Sequence, residues 1–595
     1  MTASPRLEDQ VLVTYEVTSD GAPLPDSAFV KEVETESELN RIPFATITLV
    51  DGDRSTEEFE WSASDQFLPG ASIRIEAGYH SETDLIFEGI VLRHGLRVDP
   101  GGRSYLVLTC ADKAIGLTVG RASAQYLEMS DAEILSDIIG AAGCSADVPA
   151  SDLRPEATVR HEATDWDFIL LRATALGRSV KVVGGKVTVA APEFPSPDVE
   201  VRFGEAIDVL ELDLDAGAQI LPPEAGTWDP SAQDVVTATA AEPSLNSQGN
   251  LDGPALAAAV GNPDSSLRSV AAQDAEGVQT WADARLIAAR LARIRGRLAI
   301  PGTAKLAPGG TVGLAGLGPR FDGTAYVSGV KHVLRSGEWR TEIRIGLDPL
   351  RRPDRLPEID GPPAGGLRPA ATGLQIAKVK QIHEDPKAER RVKVTLPLAE
   401  EQSDGIWVRL LCSYATEDAG TVFLPEPGDE VVLGFLDDDP QSAVLLGALQ
   451  SSARPAPYEP EADNRIKAIV TRQQIKIEMD DTDKILTIST PGGQIVTLSD
   501  KDTQVRLEDA TGNSVDLSPS GIAVESPGDI TIKATGKVQI EGTTGITATS
   551  PADVGIRGLN ASVEGDVGVT AKGGATAELS AGAQTIVKGA VVMIN

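Results

Sequence analysis

From residue 459 to residue 595 the chain contains no Phe, Tyr, Trp, His or Cys. Within that stretch short alternating runs recur every eight residues: DITIK (529–533), KVQIE (537–541), GITAT (545–549) and DVGIR (553–557). Ile530, Val538, Ile546 and Val554 fall in phase, as do Ile532, Ile540, Ala548 and Ile556. After one irregular step the period resumes, with Val567, Ala575, Ala583 and Val591 in one row and Val569, Ala577, Thr585 and Met593 in the other. A short fixed period of this kind specifies a β-solenoid or β-helix. Each run is too short, and its apolar edge too narrow, for one chain to close a core alone. Burying a Val or Ile is worth roughly 1.5–3 kcal/mol, but only where a neighbour covers it. Three identical chains wound around one axis supply that cover, and a core so thin has no room for rings. Residues 464–595 are therefore expected to form a triple-stranded β-helix needle in an intertwined homotrimer, in preference to a single-chain solenoid. Gly and Asp at the turns let each chain step around the axis. The Ala-rich second half implies a shaft that narrows.

The remaining residues bound what else the chain can be. At 595 residues it has room for about four domains. Lys and Arg number 53 against 88 Asp and Glu, a net charge of −35, with no dense basic stripe. A nucleic-acid duplex would be repelled, and the acidity reads as a solubility device for a large assembly subunit. Cys110, Cys144 and Cys412 lack CxxC spacing, so they are expected to be buried structural thiols rather than disulfides or zinc ligands. No run approaches the ~18 apolar residues of a membrane-spanning helix. The opening MTASPRLEDQ lacks a signal-peptide pattern, so folding in the cytoplasm is expected, with any exit from the cell by another route.

Upstream of the needle the pattern is mainly β. Runs 11–17, 45–50, 72–79 and 104–110 alternate or are β-branched, as strands do. Ser130 is placed to cap a helix over 131–142 with Ile134, Leu135, Ile138 and Ile139 on one face. Thr164-x-x-Asp167 opens a second helix whose stripe is Trp166, Ile169, Leu170 and Ala173. RSVKVVGGKVTVAA (178–191) reads as a hairpin around Gly184-Gly185. Residues 234–278, rich in Ala, Ser, Asp and Gly, read as a loose surface excursion. Thr280-x-x-Asp283 then opens a third helix over 281–295, burying Leu286, Leu291 and Ile294, before strands return over 298–347. The stretches 352–370 and 451–463 read as linkers.

The segment 378–449 carries a specific set of elements: Asp385-Pro386, Arg391 to Val394, Pro397, Trp407 to Arg409, Pro425 to Val431, Asp439-Pro440 and Leu446-Gly447. This set resembles the OB-fold domain of VgrG-type spike proteins and of the hub and spike proteins of contractile phage tails. RHEATDWDFILLRATALGRSVKV (160–182) and 306–347, with Gly337 to Glu342, resemble the hub domain of the same family. The DWDF form at 165–168 leans towards extracellular contractile injection particles rather than type VI secretion tips. The resemblance implies a mainly β multidomain chain. Its parts are a hub β-barrel-like domain over 1–120, a helix-and-hairpin insertion over 121–200, and a second hub β domain over 201–365. An OB-fold collar over 371–450 precedes the needle. It further implies a trimeric spike that adapts the inner tube to the needle, meets baseplate proteins, carries a PAAR-type tip protein and effector cargo, and touches a target membrane transiently.

Candidate chemistry is sparse. His80, His94, His161, His332 and His383 are scattered and form no HExxH, and Gly313, Gly316 and Gly318 make only part of a dinucleotide fingerprint. Asp437 to Asp439 and Asp480, Asp481 and Asp483 read as solvated loops, although carboxylates of this kind can hold a hard cation. No catalytic, cofactor or metal residue is assigned. The expected partner-binding residues are Val591, Val592, Met593, Ile594 and Asn595, an apolar end with open backbone edges on which a tip protein would dock. A glycan-degrading tail enzyme and a receptor-binding fibre are the rival classes. The first would need a carboxylate-lined cleft, the second a recognition head at one end.

Overall fold

The computed structural model describes residues 2–3, 12–150, 153–155, 157–229, 234–261, 266–269, 275–349, 371–397 and 404–594. The expected linker 352–370 and Asn595 lie outside the described residues. The chain forms two compact units, 1–449 and 450–595. Most of its regular structure is strand, with four α-helices among the described residues. None of the described helices is long and apolar enough to cross a membrane.

The first unit is organised around one 14-stranded sheet. Its amino-terminal strands include Val13–Ser19, Val30–Glu38, Phe44–Val50, Ser72–Tyr79, Glu82–Val98 and Ser104–Ala111. The chain leaves the sheet after Ala111 and rejoins it at Val199–Arg202. It leaves again after Val209–Leu214 and returns through Ile294–Pro301, Thr311–Ala315, Gly323–Arg335 and Glu338–Ile345. Gly323–Arg335 closes the layer by pairing antiparallel with Val30–Glu38. Alternation puts Val33, Ile47, Ile73, Ile75, Leu106 and Leu108 in the core.

Val30–Glu38 is a strand that hydrophobicity alone conceals, because Glu32, Glu34, Glu36 and Glu38 fill its outer face. The neighbouring strands answer each one. Arg335 lies 3.6 Å from Glu32, Lys331 3.2 Å from Glu34, and Arg344 2.7 Å from Glu36. Exposed pairs of this kind contribute about 0–1 kcal/mol each. Their value here is register: slipping by one residue would drive four carboxylates into the core.

The first departure from the sheet holds α1 (Asp131–Ala141) and α2 (Asp165–Ala175). Ser130 and Glu133 form a reciprocal capping box on α1. Thr164 Oγ1 accepts from the Asp167 amide at 3.0 Å to cap α2. The Arg172 guanidinium clamps the helices together through both oxygens of Asp131, at 2.6 and 2.8 Å. Ser179–Val183 and Lys186–Ala190 form the expected hairpin, with Gly184 at φ +55° and Gly185 at φ +76° as a tight two-residue turn requires.

The second departure is more ordered than its composition suggests. Asp234–Thr239 pairs with Glu224–Asp229, and α3 (Gly253–Ala259) is capped by Asp252. α4 spans Ala275–Leu291, beginning six residues before the expected start. Thr280, expected to cap it, lies inside the helix. The Asp283 carboxylate accepts from the Ala241 amide at 2.8 Å. Ile294 opens a strand rather than ending the helix. Two arginines at the end of α4 hold the small-residue stretch in place. Arg290 is bidentate to Glu242, and Arg293 donates to the carbonyls of Leu251 and Gln248 at 2.7 Å. A polar run is thus ordered by hydrogen bonds to a buried and a half-buried arginine rather than by apolar contact.

Cys110 and Cys144 are buried, and desolvation pushes the Cys110 thiol up to about 12. Cys412 is only half-buried, a correction to the expectation for all three.

In the second unit the expected linker 451–463 is tied down. The Tyr458 hydroxyl donates to Glu478, and Lys476 Nζ lies 5.9 Å from the Tyr458 ring centroid. Residues 466–525 form a seven-stranded antiparallel meander of five-residue strands. Its register aligns Ile469, Ile477, Ile488, Val496, Leu507, Val515 and Val524 in one continuous row. Met479, Leu486, Leu498, Val505, Leu517 and Ile522 make a parallel row on the same face. Both rows are exposed or half-buried in the single chain.

Beyond residue 525 no strand is assigned among the described residues. The chain bends at 527–528, 535–536, 543–544, 551–552, 559–560, 566–567, 574–575, 582–583 and 590–591. A small residue precedes every bend: Ser526, Ala534, Gly542, Ser550, Gly558, Gly565, Gly573, Ala581 and Gly589. At Gly573 a Cβ would stand 1.9 Å from the Thr576 carbonyl oxygen, and at Gly542 2.6 Å from that of Gly545. The tightest turns therefore demand glycine.

Counting back from these small residues corrects the phase read from the apolar letters. The single seven-residue step loses its residue at the 559–560 bend, so Ala561 and Val563 carry the two rows across it. The rows continue as Val569, Ala577, Thr585 and Met593, and as Ala571, Leu579 and Val587. Val567, Ala575, Ala583 and Val591 sit on the bends instead. A third column, between the rows, reads Thr531, Gln539, Thr547, Gly555, Ser562, Thr570, Glu578, Ile586 and Ile594.

Two outcomes are expected. Gly573→Val should lower the thermal midpoint of the full chain, since forcing bulk into a closed turn costs about 1–3 kcal/mol, whereas Ala581→Ser should leave it unchanged. The second concerns His332, which is buried with Nδ1 3.1 Å from Thr341 Oγ1 and its ring 5.8 Å from that of Trp339. Burial lowers its pKa from 6.5 to about 4. The unfolded chain thus binds this proton below pH 6.5 while the folded chain resists it. The associated stability is complete above 6.5 and is lost as pH falls towards 4, by about 3 kcal/mol in all. Urea midpoints between pH 7 and pH 4 should fall less steeply in His332→Gln than in the parent.

Candidate functional site

Two surfaces concentrate the residues that the sequence singles out. The first is a closed five-stranded barrel of Gln375–Gln381, Val392–Thr395, Ile406–Leu410, Ala443–Ala448 and Glu430–Phe435. Its interior is Ala377, Val379, Val392, Val394, Val408, Val431, Leu433, Ala443 and Leu445, supplied by alternate positions of each strand. Closure removes the sheet edges that a five-stranded layer would otherwise expose.

Each polar element of the 378–449 pattern organises a loop of this barrel. Asp385 accepts from the backbone amides of Lys387, Glu389 and Arg391 and from the Arg391 guanidinium at 2.6 Å. The guanidinium and those amides hold its carboxyl far below the usual carboxylate range. Arg391 begins the strand whose Val392 and Val394 enter the core, so the loop and the strand are locked as one piece. Lys393, between those valines, turns outward to Asp404 and lies 5.8 Å from the Trp407 ring centroid. Lys393 and Lys380 together draw the Asp404 carboxyl down to about 2.

The Pro425–Val431 element is a turn. Glu426 N donates to Asp429 Oδ2 at 2.9 Å, Gly428 has φ +92°, and its amide donates to the Val379 carbonyl at 2.7 Å. At Asp439-Pro440 the carboxylate accepts from the Gln441 amide and the Ser442 hydroxyl at 3.0 and 3.1 Å. Leu446-Gly447 marks a bulge, where Val432 faces Gly447 but Leu433 faces Leu445. These residues are therefore a folding code for a barrel with fixed loops.

Three of the carboxylates considered as cation ligands are engaged with cationic side chains. Asp480 pairs with Arg465 at 2.5 Å, Asp481 with Lys467, and Asp483 with Lys501 at 2.9 Å. Gly313 lies within a strand, and the turn at Gly316 and Gly318 leads to another strand, not to a phosphate-cradling helix. His383 stands exposed beside Glu384 at 3.5 Å.

The second surface is the apolar face of 466–594. Val591, Val592, Met593 and Ile594 are exposed. Sequence reasoning missed the meander and its paired rows. The signal was present as alternate apolar residues in five-residue runs, but register is needed to align them.

Comparison with known proteins places these features. Residues 9–336 match the family described as the Alg8 N-terminal domain, more than half of the chain. Residues 375–449 match the type VI secretion system/phage-baseplate injector OB domain. The chain is 28% identical over 158 residues to the type VI secretion system spike protein VgrG4b of Pseudomonas aeruginosa, covering 25% of this chain and 17% of that one. It is 28% identical over 200 residues to VgrG2a of the same organism, covering 30% and 23%. The chain thus spans less than a quarter of the length of either relative. The 43 kDa tail protein of prophage MuSo2 from Shewanella oneidensis superposes with a TM-score of 0.42 at 10% identity, over 57% of this chain and 98% of that chain.

If Asp385 organises its loop as described, Asp385→Ala should speed hydrogen exchange at the amides of Lys387, Glu389 and Arg391. Exchange at Val431 and Leu445, in the barrel interior, should stay slow.

Proposed function

We propose, from its injector OB domain and its likeness to VgrG spike proteins, that this chain, which belongs to the family described as the Alg8 N-terminal domain, is the trimeric central spike of a contractile injection machine. The observation that carries this reading is the uncovered apolar face of 466–594. One apolar row crosses all seven strands of the meander and a second crosses six of them, two more run down the shaft, and in the single chain these rows are exposed or half-buried. Two further copies would bury them at roughly 1.5–3 kcal/mol per Val or Ile side chain. Backbone groups of the shaft that lack intrachain strand partners would gain them from the neighbouring copies, as a triple-stranded β-helix requires.

On this reading residues 1–365 adapt the inner tube and baseplate to the spike, and the OB barrel is a collar. The needle delivers the force of sheath contraction to a target membrane. The work is mechanical and needs no catalytic residue. An interlocked trimer resists unravelling because no chain can leave without exposing its rows and breaking its ladder. Residues Val591 to Asn595, apolar as far as Ile594, would seat a PAAR-type tip protein, and effector cargo would travel with the spike. Assembly in the cytoplasm, followed by release or export within the particle, completes the proposal.

Light scattering on the full chain is expected to give the mass of three copies; a monomer would overturn the reading. Deleting 591–595 should leave the trimer intact and abolish capture of the tip protein in a pull-down, and undiminished capture would remove the docking role.

A further inference from the structure

We propose that the tip protein grips the sides of the shaft as well as its end, through a lateral apolar collar of Ile586, Val592 and Ile594; this rests on the tip-docking reading above. The column between the two apolar rows is polar or glycine from Thr531 to Glu578, through seven successive repeats, and then becomes Ile586 and Ile594. The column two places before it begins Asp529 and Lys537, and reaches Val592. Phase was set by the small residues before each bend, so these positions belong to columns that alternate with the rows assigned to the core. In the single chain all of 527–594 is exposed, so the assignment rests on the columns and not on exposure. A shaft whose intervening columns are polar for most of its length has no need of them for its own core. Their place over the last described repeats makes an apolar band that a partner must cover.

The chemistry favours a protein socket over lipid. Segments that settle in a bilayer interface use Trp and Tyr as anchors, and none occurs after residue 458. Lys588 persists within the band, in the column that also carries Lys533, Glu541, Arg557, Glu564 and Lys572. The matching surface is therefore an aliphatic socket with a carboxylate opposite Lys588.

The experiment titrates a PAAR-type tip protein against the full chain and its Ile586→Lys and Ile586→Val variants, with light scattering on each. Ile586→Lys is expected to weaken binding by about tenfold or more at unchanged mass, and Ile586→Val to bind as the parent does. Unchanged binding by Ile586→Lys would overturn the collar, while loss of binding on deleting 591–595 would still uphold end-on docking. Loss of the trimer in Ile586→Lys would assign the residue to the shaft core and also overturn it. Flotation of the parent chain with phosphatidylcholine/phosphatidylglycerol vesicles, lost in Ile586→Lys, would give the collar to lipid instead. A parent chain that binds no tip protein would remove the tip reading and the collar together.

Discussion

Apolar side chains that one copy of the chain leaves in water govern the carboxy-terminal unit. The five inner strands of its meander are paired on both sides, yet one of its two faces is a largely aliphatic surface. The shaft is the opposite case in part, since it lacks both cover for its rows and strand partners for its backbone. On the trimeric reading proposed above, both defects have the same remedy, which is a neighbour of the same kind. Absence of aromatic residues fits the same proposal, since near a shared axis a Val or Ala fits where a ring does not.

The first unit solves a different problem. Its long sheet must hold register over many strands while two large segments leave and return. Buried alternation provides most of the energy, and charges on the outer face provide discrimination between registers. The departures are anchored by arginines with defined partners: Arg172 on Asp131, Arg290 on Glu242, Arg293 on two carbonyls. Such contacts are directional, so they position a segment without requiring it to be hydrophobic.

Legibility in the sequence divides along the same line. Interactions between residues close in the chain were readable: the Ser130 cap, the Thr164 cap and the Gly184-Gly185 turn. Interactions that depend on distant partners were not. Val30–Glu38 looks like a charge run until Lys331, Arg335 and Arg344 are placed beside it. Residues 234–261 look loose until Arg290 and Arg293 reach them. The shaft was an intermediate case, because its period was plain but its phase after the irregular step was not. Apolar letters at 567, 575, 583 and 591 mimic a row, and only the bends reveal that they lie at corners.

The amino-acid sequence by itself determined the period of the shaft, the caps and turns, and the barrel pattern of 378–449, since each depends on spacing along the chain. Tertiary structure alone decided which strands share a sheet, which carboxylates meet which cations, and where the meander ends and the shaft begins. Those outcomes depend on through-space distances between residues far apart in sequence, and side-chain periodicity carries no information about them.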